Sequence, residues 1–528
     1  MILVGIMALF LVSCAAGHGS ISQPPEGEYV TGYVFEDSNN NGIMDKGEKG
    51  IPGVLVSNQR EVVKTDRNGR YHLPLEENTT IFVVKPANYQ LPVNDDNLPL
   101  FYYLHYTEGS PEGLKFPGIE PTGDIPDYVN FPLLAEEDPD TIEVMALGDP
   151  QPRTDEELDF LREGLVNEVR DENLTFGWVL GDLMFDDLSL FPRYNQIMGH
   201  LGIPLYNVIG NHDIDFEGDE LHAKDNFRLY FGPNYYAFTY GKFHFFSIDN
   251  IEWLGKQTEN FWGDYRGVIG KQQMHWIASM LEHIPDDKWI VIGTHIPLYT
   301  ARSDRERNNT VDRNELFALL EGRKNVLTLS AHMHTNEYYF LGPDEGWHGE
   351  EPLVHIVCGA GSGAWWGGPM LPEGYPYSLQ SDGVPSGYYK IQFKGNGYID
   401  QFIPLAKDPD FQIRISTPRG KIFINELDGR EIVASIFMGS EKTNVNATIN
   451  GEINVPMERT VRRDPFAVEF FTEHAETLKS WVGASPAVHI WSGKLPDDLE
   501  TGVHVIDVEA HLHDGRIFTE RQVFEIID

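Results

Sequence analysis

Cysteine is scarce in this chain, because 528 residues contain only Cys14 and Cys358. At most one intramolecular disulfide could form, which excludes the disulfide-rich scaffolds of small secreted proteins. Long apolar runs are scarce too, since beyond residues 1–12 there is no stretch of 18 apolar residues that could span a bilayer. We therefore expect core burial, which is feasible at this length, or bound metals to provide the stability.

Basic residues are also few. Lys and Arg number 40 against 81 Asp and Glu, which gives a net charge of −41. Such a chain has few cationic groups that could displace phosphate counterions, so we expect no nucleic-acid polymer as a non-specific partner. The charge favours solubility or cation binding, and it is compatible with a phosphorylated substrate held by metal ions.

The apolar run of residues 1–12 is followed by Ser13, Cys14 and Ala15. This order is typical of a bacterial lipoprotein signal, in which Cys14 would carry the lipid. An ordinary secretory signal with a chance cysteine is the alternative, and residues 1–13 lack the usual Lys or Arg. We predict a signal over residues 1–14 and an exported lipoprotein, in the periplasm or on the cell surface, anchored to a membrane through Cys14.

The pattern of apolar residues divides the rest of the chain into three parts. Residues 26–106 alternate in short runs between turn residues, which predicts a small β-sandwich. Residues 141–405 alternate near-continuous apolar runs with helical stretches, which predicts an α/β fold with buried sheets and helices outside. Period-two alternation returns over residues 410–528, which predicts a third, all-β domain.

A polar loop in the first domain fits the spacing of the twelve-residue calcium loop, with oxygen ligands at positions 1, 3, 5, 7, 9 and 12. The six candidate ligands are Asp37, Asn39, Asn41, Ile43 through its carbonyl, Asp45 and Glu48. Strands rather than helices are predicted on both sides, which favours a structural calcium over a sensor. A solvated polar loop is the alternative.

Five apolar runs of the middle domain are each followed by residues that commonly bind metals. Loops at the carboxyl ends of strands are where open α/β sheets build their sites, and a glycine before the ligand allows a sharp turn. The five segments are Gly148-Asp149-Pro150-Gln151, Gly181-Asp182, Gly210-Asn211-His212-Asp213, Gly293-Thr294-His295 and Ala331-His332-Met333-His334. Five such segments in order indicate one shared metal site.

These segments resemble the pattern of the calcineurin-like metallophosphoesterases, D-x-H, G-D, G-N-H-D/E, a later H and G-H-x-H, over roughly residues 141–405. The resemblance implies an α/β fold, a β-sandwich flanked by helices, with all-β N- and C-terminal domains as in bacterial relatives. It also implies two metal ions that share one carboxylate. The first ion would be held by Asp149, Gln151, Asp182 and His334, and the second by Asp182, Asn211, His295 and His332.

The sequence departs from that family pattern at two positions. Gln151 stands where many relatives have His, although its amide oxygen can still bind a metal, and Ala331 replaces the usual Gly. Mixed nitrogen and oxygen ligands suit Mn²⁺, Fe or Zn²⁺. Phe185 occupies the position of the tyrosine ligand of purple acid phosphatases, so we expect no tyrosinate here.

The resemblance implies hydrolysis of phosphate esters. Two metal ions about 3.5–4 Å apart can polarise a phosphoryl group and generate the attacking hydroxide. His212 would protonate the leaving oxygen or steady the phosphate, with Asp213 orienting its imidazole, and a structural histidine is the alternative. Two other functions stay open: a phosphodiesterase specific for nucleotides or phosphoglycans, and a non-catalytic calcium-stapled surface binding protein.

The glycine-rich segment 359–368 contains a pair of tryptophans, Trp365 and Trp366. They would form either an aromatic wall for the leaving group of the substrate or a packing surface for a neighbouring domain. Tyr265, Arg266 and His348 are further candidate substrate contacts.

Overall fold

The computed structural model of the protein describes residues 28–256 and 264–528. The predicted signal with Cys14 lies outside the described residues and stays a prediction. Within those two ranges, the helices are all too short or too polar to cross a membrane. Cys358 is buried and free.

Eight short strands build the N-terminal domain. They are β1 (Tyr29–Glu36), β2 (Leu55–Ser57), β3 (Val62–Lys64), β4 (Arg70–Pro74), β5 (Thr79–Val83), β6 (Tyr89–Gln90), β7 (Tyr102–His105) and β8 (Phe131–Ala135). They form two four-stranded sheets, ordered β4-β1-β8-β6 and β3-β2-β5-β7. Because β8 pairs in parallel with β1, the domain extends past the predicted boundary at residue 106. Only Phe131 and Leu133 of β8 point into the core, a pattern too short to separate from a linker.

The middle domain contains thirteen strands and six α-helices among the described residues. The strands are β9 (Thr141–Leu147), β10 (Phe176–Val179), β11 (Leu205–Asn207), β12 (Tyr236–Tyr240), β13 (Phe243–Ser247), β14 (Ile251–Trp253), β15 (Tyr265–Gly267), β16 (Trp289–Gly293), β17 (Val326–Ser330), β18 (Glu337–Leu341), β19 (Leu353–Val357), β20 (Gly387–Lys394) and β21 (Gly397–Pro404). The helices are α1 (Asp155–Leu161), which continues through a π-helical turn (Arg162–Val166) into α2 (Asn167–Val169), then α3 (Phe191–Gly199), α4 (Asp225–Phe231), α5 (Lys271–Leu281) and α6 (Arg313–Leu320). Short 3₁₀ turns cover Leu188–Leu190 and Pro343–Glu345.

Two sheets of the middle domain position the candidate site. Their strand orders are β11-β10-β9-β20-β21 and β12-β13-β16-β17-β19-β18. The strands β9, β10 and β11 are parallel to one another, and so are β13, β16, β17 and β19. Parallel strands bring their carboxyl ends to the same edge of a sheet, so the loops that follow them meet there.

The amphipathic helices cover these sheets. In the first helix, Leu158, Leu161, Leu165 and Val169 form one buried face, as their spacing predicts. Thr154 caps this helix by accepting a hydrogen bond from the backbone N–H of Glu157 at 3.2 Å. The predicted fold class, an α/β sandwich with helices outside and β domains at both ends, is confirmed.

The C-terminal domain has two sheets and one helix. Its strands are β22 (Ile413–Thr417), β23 (Gly420–Phe423), β24 (Glu431–Ile436), β25 (Asn444–Ile449), β26 (Ile453–Pro456), β27 (Glu458–Arg463), β28 (Pro486–Lys494), β29 (Gly502–His511) and β30 (Ile517–Ile527), with 3₁₀ turns at Ile424–Glu426 and Ala475–Thr477. The sheet orders are β22-β24-β28-β27 and β23-β30-β29-β25-β26. Helix α7 (Pro465–Glu473) corrects the prediction of an all-β domain. Asp464 caps it through the N–H of Phe466, and Pro465 suits its first position.

Helix α7 joins the C-terminal domain to the middle domain. Ala467, Phe470 and Phe471 on its buried face form one apolar cluster with Ala364 and Leu379. Ala364 lies in the glycine-rich segment that contains the paired tryptophans. The helix is therefore packed next to the candidate site rather than at a distance from it.

Candidate metal centre

The five predicted metal-binding segments follow five strands of two different sheets. Asp149, Asp182 and Asn211 come after β9, β10 and β11 of the five-stranded sheet. His295 and His332 come after β16 and β17 of the six-stranded sheet. Ligand atoms of Asp182, His295 and His332 all lie within 4.8 Å of one another. The fold thus brings together residues that are far apart in sequence.

Four hydrogen-bond acceptors converge in one half of the centre. The Nε2 atom of His295 lies 3.2 Å from Oδ1 of Asp182, 3.2 Å from Oδ1 of Asn211 and 3.2 Å from Nδ1 of His332. Because Nδ1–H of His295 donates to the carbonyl of Leu180 at 2.8 Å, its Nε2 is the ring nitrogen that faces the centre and that would offer a lone pair to a metal ion. Converging lone pairs repel one another unless a cation lies among them, so these residues fit a metal ion.

The other half of the centre contains buried oxygens with no hydrogen-bond partner among the described residues. They are Oδ1 of Asp149 and Oε1 of Gln151. His334 donates its Nδ1–H to the carbonyl of Gly363 at 2.6 Å, which leaves its Nε2 lone pair 3.6 Å from Oδ1 of Asp149. The Gln151 amide lies 3.0 Å from Oδ2 of Asp182. The free oxygens and the His334 nitrogen fit a second metal ion. Asp182 takes part in both halves of the centre, with Oδ1 in the first and Oδ2 in the second.

Five of the candidate ligands have left-handed backbone conformations. The φ angles are 42° at Asp149, 39° at Gln151, 52° at Asp182, 69° at His332 and 50° at His334. Each such conformation costs a non-glycine residue about 1–3 kcal/mol and persists only where the surrounding fold holds it. Strain of this kind concentrated at one buried cluster is typical of a functional site.

The glycines before the ligands allow close approach, as predicted. A Cβ atom at Gly181 would lie 2.5 Å from Nδ1 of His295, and one at Gly210 would lie 2.1 Å from the backbone nitrogen of Asp182. Gly181 also has a φ angle of 92°. Any side chain at either position would therefore displace a candidate ligand.

The two buried carboxylates differ in acidity. Burial raises the pKa of Asp149 to about 8, more than the nearby charge of His295 lowers it. Burial also acts to raise the pKa of Asp182, but His295 and His212 outweigh it and hold that pKa well below its usual range. A bound divalent cation favours the ionised form of both groups.

The structure corrects the predicted partner of His212. Its Nδ1 lies 2.5 Å from Oδ1 of Asp186, whereas the carboxylate of Asp213 accepts backbone N–H bonds from Met184 at 3.1 Å and Gly210 at 2.8 Å. The Asp213 carboxylate thus joins its own turn, at Gly210, to the loop after β10, at Met184. Asp213 therefore shapes the loop, and Asp186 orients the imidazole.

His212 lies beside the centre, with a carboxylate near each of its ring nitrogens. Its backbone N–H donates to Oδ1 of Asp182 at 2.9 Å, and its Nε2 lies 4.0 Å from Oδ2 of the same residue. Burial lowers the pKa of His212, but the charges of Asp182 and Asp186 outweigh burial and raise that pKa to about 9. The two carboxylates thus favour the charged imidazolium, which is the form that a proton donor needs.

A cavity of about 320 Å³ opens next to the centre. Its lining residues are Phe185, Asn211, His212, Tyr265, Arg307, Trp365 and Trp481. Of the candidate substrate contacts, Trp365 and Tyr265 line this cavity. Trp366 does not: it is buried, packs against Phe160, and donates its indole N–H to the carbonyl of Pro150 at 2.8 Å.

The other two candidate contacts lie away from this cavity. Arg266 forms an ion pair with Glu252, and His348 is exposed outside the lining. Three residues of the site were not predicted. Asp186 had a signal, because it continues the carboxylate-rich turn after β10, whereas Arg307 and Trp481 lie in irregular segments with no periodic pattern.

The twelve-residue polar loop of the N-terminal domain closes on itself. Oδ2 of Asp45 accepts hydrogen bonds from the side-chain amides of Asn39 and Asn41, both at 2.9 Å. Oε2 of Glu48 accepts from the backbone N–H of Asp45 at 2.9 Å, and Asp37 accepts from the N–H of Asn41 at 3.2 Å. The side chains of the predicted calcium loop therefore face one another, and Ile43 points away with 64% exposure.

Similarity to known proteins is uneven along the chain. Serine-aspartate repeat-containing protein D of Staphylococcus aureus strains Newman and MW2 is 51% identical over 45 residues, 7% of this chain and 3% of that protein. The chain therefore spans a very small part of the length of these curated relatives. Among solved structures, a dimetal phosphatase from Danio rerio is 14% identical with a TM-score of 0.32, over 49% of this chain and 98% of that one. A purple acid phosphatase from yellow lupin (Lupinus luteus) seeds is 13% identical with a TM-score of 0.36, over 67% of each chain.

Three models of one family match successive parts of the sequence. The N-terminal model of calcineurin-like phosphoesterases matches residues 38–119, the catalytic model residues 142–336 and the C-terminal model residues 355–518. All seven candidate ligands lie within the catalytic match. The chain therefore belongs to the calcineurin-like phosphoesterase family, a family of metal-dependent phosphoesterases.

Proposed function

We propose that the protein hydrolyses phosphate esters at a centre of two divalent metal ions. The observation that supports this most is the convergence of buried lone pairs on Asp149, Asp182 and His295, some without any hydrogen-bond partner among the described residues. Only cations satisfy such a set without protonating it. The nitrogen and oxygen donors favour Mn²⁺, Fe or Zn²⁺.

When bound, the two ions would polarise the phosphoryl group and lower the pKa of a water molecule. Asp182 would hold both ions at a fixed separation, because its two oxygens face the two halves of the centre. His212 would then donate a proton to the leaving oxygen, with Asp186 holding the imidazole in place through Nδ1. The left-handed backbone at the ligands keeps these groups oriented before the substrate binds.

The test is hydrolysis by the full chain after metal removal. Protein treated with a chelator should hydrolyse neither p-nitrophenyl phosphate nor bis-p-nitrophenyl phosphate, and added Mn²⁺ should restore the activity. The ratio of the two rates separates a monoesterase from a phosphodiesterase for nucleotides or phosphoglycans. Absence of hydrolysis of both esters with every one of Mn²⁺, Fe²⁺ and Zn²⁺ would favour the non-catalytic surface protein.

We also propose a structural calcium in the loop from Asp37 to Glu48. The spacing of its oxygens supports this, as does the contact of the side chains of Asn39 and Asn41 with the carboxylate of Asp45. Ca²⁺ should bind the full chain, in the presence of saturating Mn²⁺, with an isotherm that is lost in the Glu48→Gln variant. An unchanged isotherm would contradict the assignment.

Finally, we propose export and lipid anchoring through Cys14, on the support of the apolar run before it. Labelled palmitate should be incorporated when the chain is expressed in a bacterium, and the Cys14→Ser variant should lose the label. Labelling of that variant, or none of the parent, would leave an ordinary secretory signal.

A further inference from the structure

The cavity beside the metal centre lies where part of a substrate would bind. Asn211, a candidate ligand, and His212, the proton donor, form part of its lining. The alcohol portion of a phosphoester must lie next to the group that protonates its oxygen. Under the proposed function, this cavity of about 320 Å³ therefore receives the leaving group of the substrate.

Aromatic rings form a continuous row along this cavity. Phe185 stacks on His212 with ring centroids 4.7 Å apart and on Trp481 at 5.9 Å. Trp481 meets Trp365 edge-on at 6.0 Å, and Trp365 stacks on His334 at 4.2 Å. The row thus extends from the proton donor in one half of the centre to a candidate ligand in the other half.

The rest of the lining adds a second flat surface. The guanidinium group of Arg307 lies over the ring of Tyr265, 4.5 Å from its centroid. Tyr265 in turn meets the imidazole of His332 edge-on at 6.0 Å. Beyond residues already engaged with the metals or the proton, the phenol of Tyr265 and the guanidinium of Arg307 are the polar side-chain groups of the lining, apart from indole N–H groups.

Trp481 belongs to the C-terminal domain, and the segment that contains it contacts the middle domain both before and after the tryptophan. Before it, Lys479 pairs with Glu157 of helix α1. After it, the backbone N–H of Ser485 donates to the carbonyl of Ser381 at 2.8 Å, and Arg302 donates to the carbonyl of Pro486 at 2.7 Å. The tryptophan is therefore held in the wall of the cavity by contacts between two domains.

Despite these contacts, Trp481 is 44% exposed. An aromatic residue held at a site and left partly in water is typical of a surface that binds a ligand. Arg153 adds a cation 5.2 Å from the Trp481 ring centroid and 4.8 Å from that of Phe185, which supports the row from outside.

We infer that this cleft selects phosphoesters whose alcohol portion is a planar aromatic ring, and that Trp481 is the specificity-determining residue supplied by the C-terminal domain. The inference rests on the proposed phosphoesterase function. A flat ring can stack on the row with little conformational cost. A sugar or another polyol would leave most of its hydroxyl groups unpaired in this lining, which has few polar groups, and unpaired buried hydroxyls are unfavourable.

The test uses two esters of nearly the same size and leaving-group basicity, benzyl phosphate and cyclohexylmethyl phosphate. Metal-loaded full-length protein should show a kcat/KM about tenfold higher for the planar ester. If the enzyme cleaves only diesters, the corresponding methyl diesters replace the two. Adenosine 5′-monophosphate against ribose 5-phosphate distinguishes a nucleobase from a simple aryl group as the natural ring.

The Trp481→Ala variant should bring the benzyl to cyclohexylmethyl ratio close to one, and Trp481→Phe should retain most of it. Phe423→Ala removes an exposed aromatic side chain of the same domain outside the cavity and should leave the ratio unchanged. A parent ratio near one would overturn the inference, as would a ratio unaffected by Trp481→Ala in protein that melts like the parent.

A binding measurement separates failure of the inference from failure of the proposed function. Calorimetry with benzylphosphonate and cyclohexylmethylphosphonate, which are not hydrolysed, should show about tenfold tighter binding of the benzyl compound. If no ester is hydrolysed but this preference is present and lost in Trp481→Ala, the proposed function fails and the cleft assignment holds. If esters are hydrolysed but neither the rates nor the binding show a preference, the cleft assignment fails alone.

Discussion

The protein has two regions in which oxygen-rich side chains converge, and they are built in opposite ways. The metal centre collects seven candidate ligands between Asp149 and His334, which are placed by the turns after five different strands. The loop from Asp37 to Glu48 takes all its candidate ligands from twelve consecutive residues, most of which are exposed. One region depends on the whole middle domain, and the other depends on its own local sequence.

Their hydrogen bonds differ accordingly. In the metal centre, Oδ1 of Asp149 and Oε1 of Gln151 are buried with no partner among the described residues. In the loop, Asp45 and Glu48 accept hydrogen bonds from neighbouring side chains and backbone groups. The polar groups of the loop can thus pair with one another, whereas those of the metal centre need cations. Substitutions at the centre should therefore have larger effects on activity than substitutions in the loop.

The largest expected effect is that of Asp182→Asn. This change removes the carboxylate that faces both halves of the centre, so it should lower kcat/KM for any hydrolysed ester by about 10³-fold or more, the loss expected when several kcal/mol of charge stabilisation are removed. Steady-state kinetics with saturating Mn²⁺ measures it. The matched control is Asp428→Asn, an exposed carboxylate, which should behave like the parent.

His212→Ala should have the next largest effect, and it should depend on the leaving group. A basic alkoxide needs a proton more than nitrophenolate does, so benzyl phosphate should slow by about 10²–10⁴-fold and p-nitrophenyl phosphate much less. Equal slowing of the two esters with retained metal would assign His212 to phosphate binding instead.

Two variants with smaller expected effects distinguish the roles of Asp186 and Asp213. Asp186→Asn should slow the alkyl ester by about 10–100-fold, because the imidazole loses the carboxylate that orients it, with little change in melting temperature. Asp213→Ala should instead lower the free energy of unfolding by about 1–3 kcal/mol, because it leaves the buried N–H groups of Met184 and Gly210 unpaired. Chemical denaturation and the ratio of the two ester rates distinguish these outcomes, and an exchange of the two effects would restore Asp213 as the partner of His212.

The smallest expected effect is that of calcium on the loop. At about ten times its dissociation constant, Ca²⁺ should stabilise the Mn²⁺-loaded full chain by about 1.4 kcal/mol through mass action. The Asp37→Asn variant should lose this increment, which thermal unfolding measures. A larger stabilisation that persists in this variant would show that the calcium acts elsewhere in the chain.

Much of the metal centre could be predicted from the sequence, because strand ends and turn glycines are local signals. The apolar runs before Asp149, Asp182 and Asn211 match β9, β10 and β11, and the chain order matches the family pattern. The glycines were predictable for the same reason, since a tight turn beside a ligand excludes a Cβ atom. That these residues coordinate metal ions stays a prediction.

Other features depend on contacts between segments that are distant in sequence. Trp481 reaches the cavity because the C-terminal domain docks on the middle domain, through helix α7 and through the contacts on either side of the tryptophan. No periodic pattern in the sequence indicates that docking. The two adjacent tryptophans look alike in sequence, yet Trp365 lines the cavity while Trp366 enters the core. Adjacency in sequence favoured Asp213 as the partner of His212, whereas the folded turns place Asp186 there instead.

The central claim is that the fold holds two metal ions and that Asp182 serves both. The most direct measurement is the metal content per chain, by elemental analysis, of parent protein and Asp182→Asn loaded with Mn²⁺ and freed of excess metal. The account predicts two ions per chain in the parent and loss of both in the variant, with the fold retained by circular dichroism. One ion or none in the parent, or two ions retained in the variant, would contradict it.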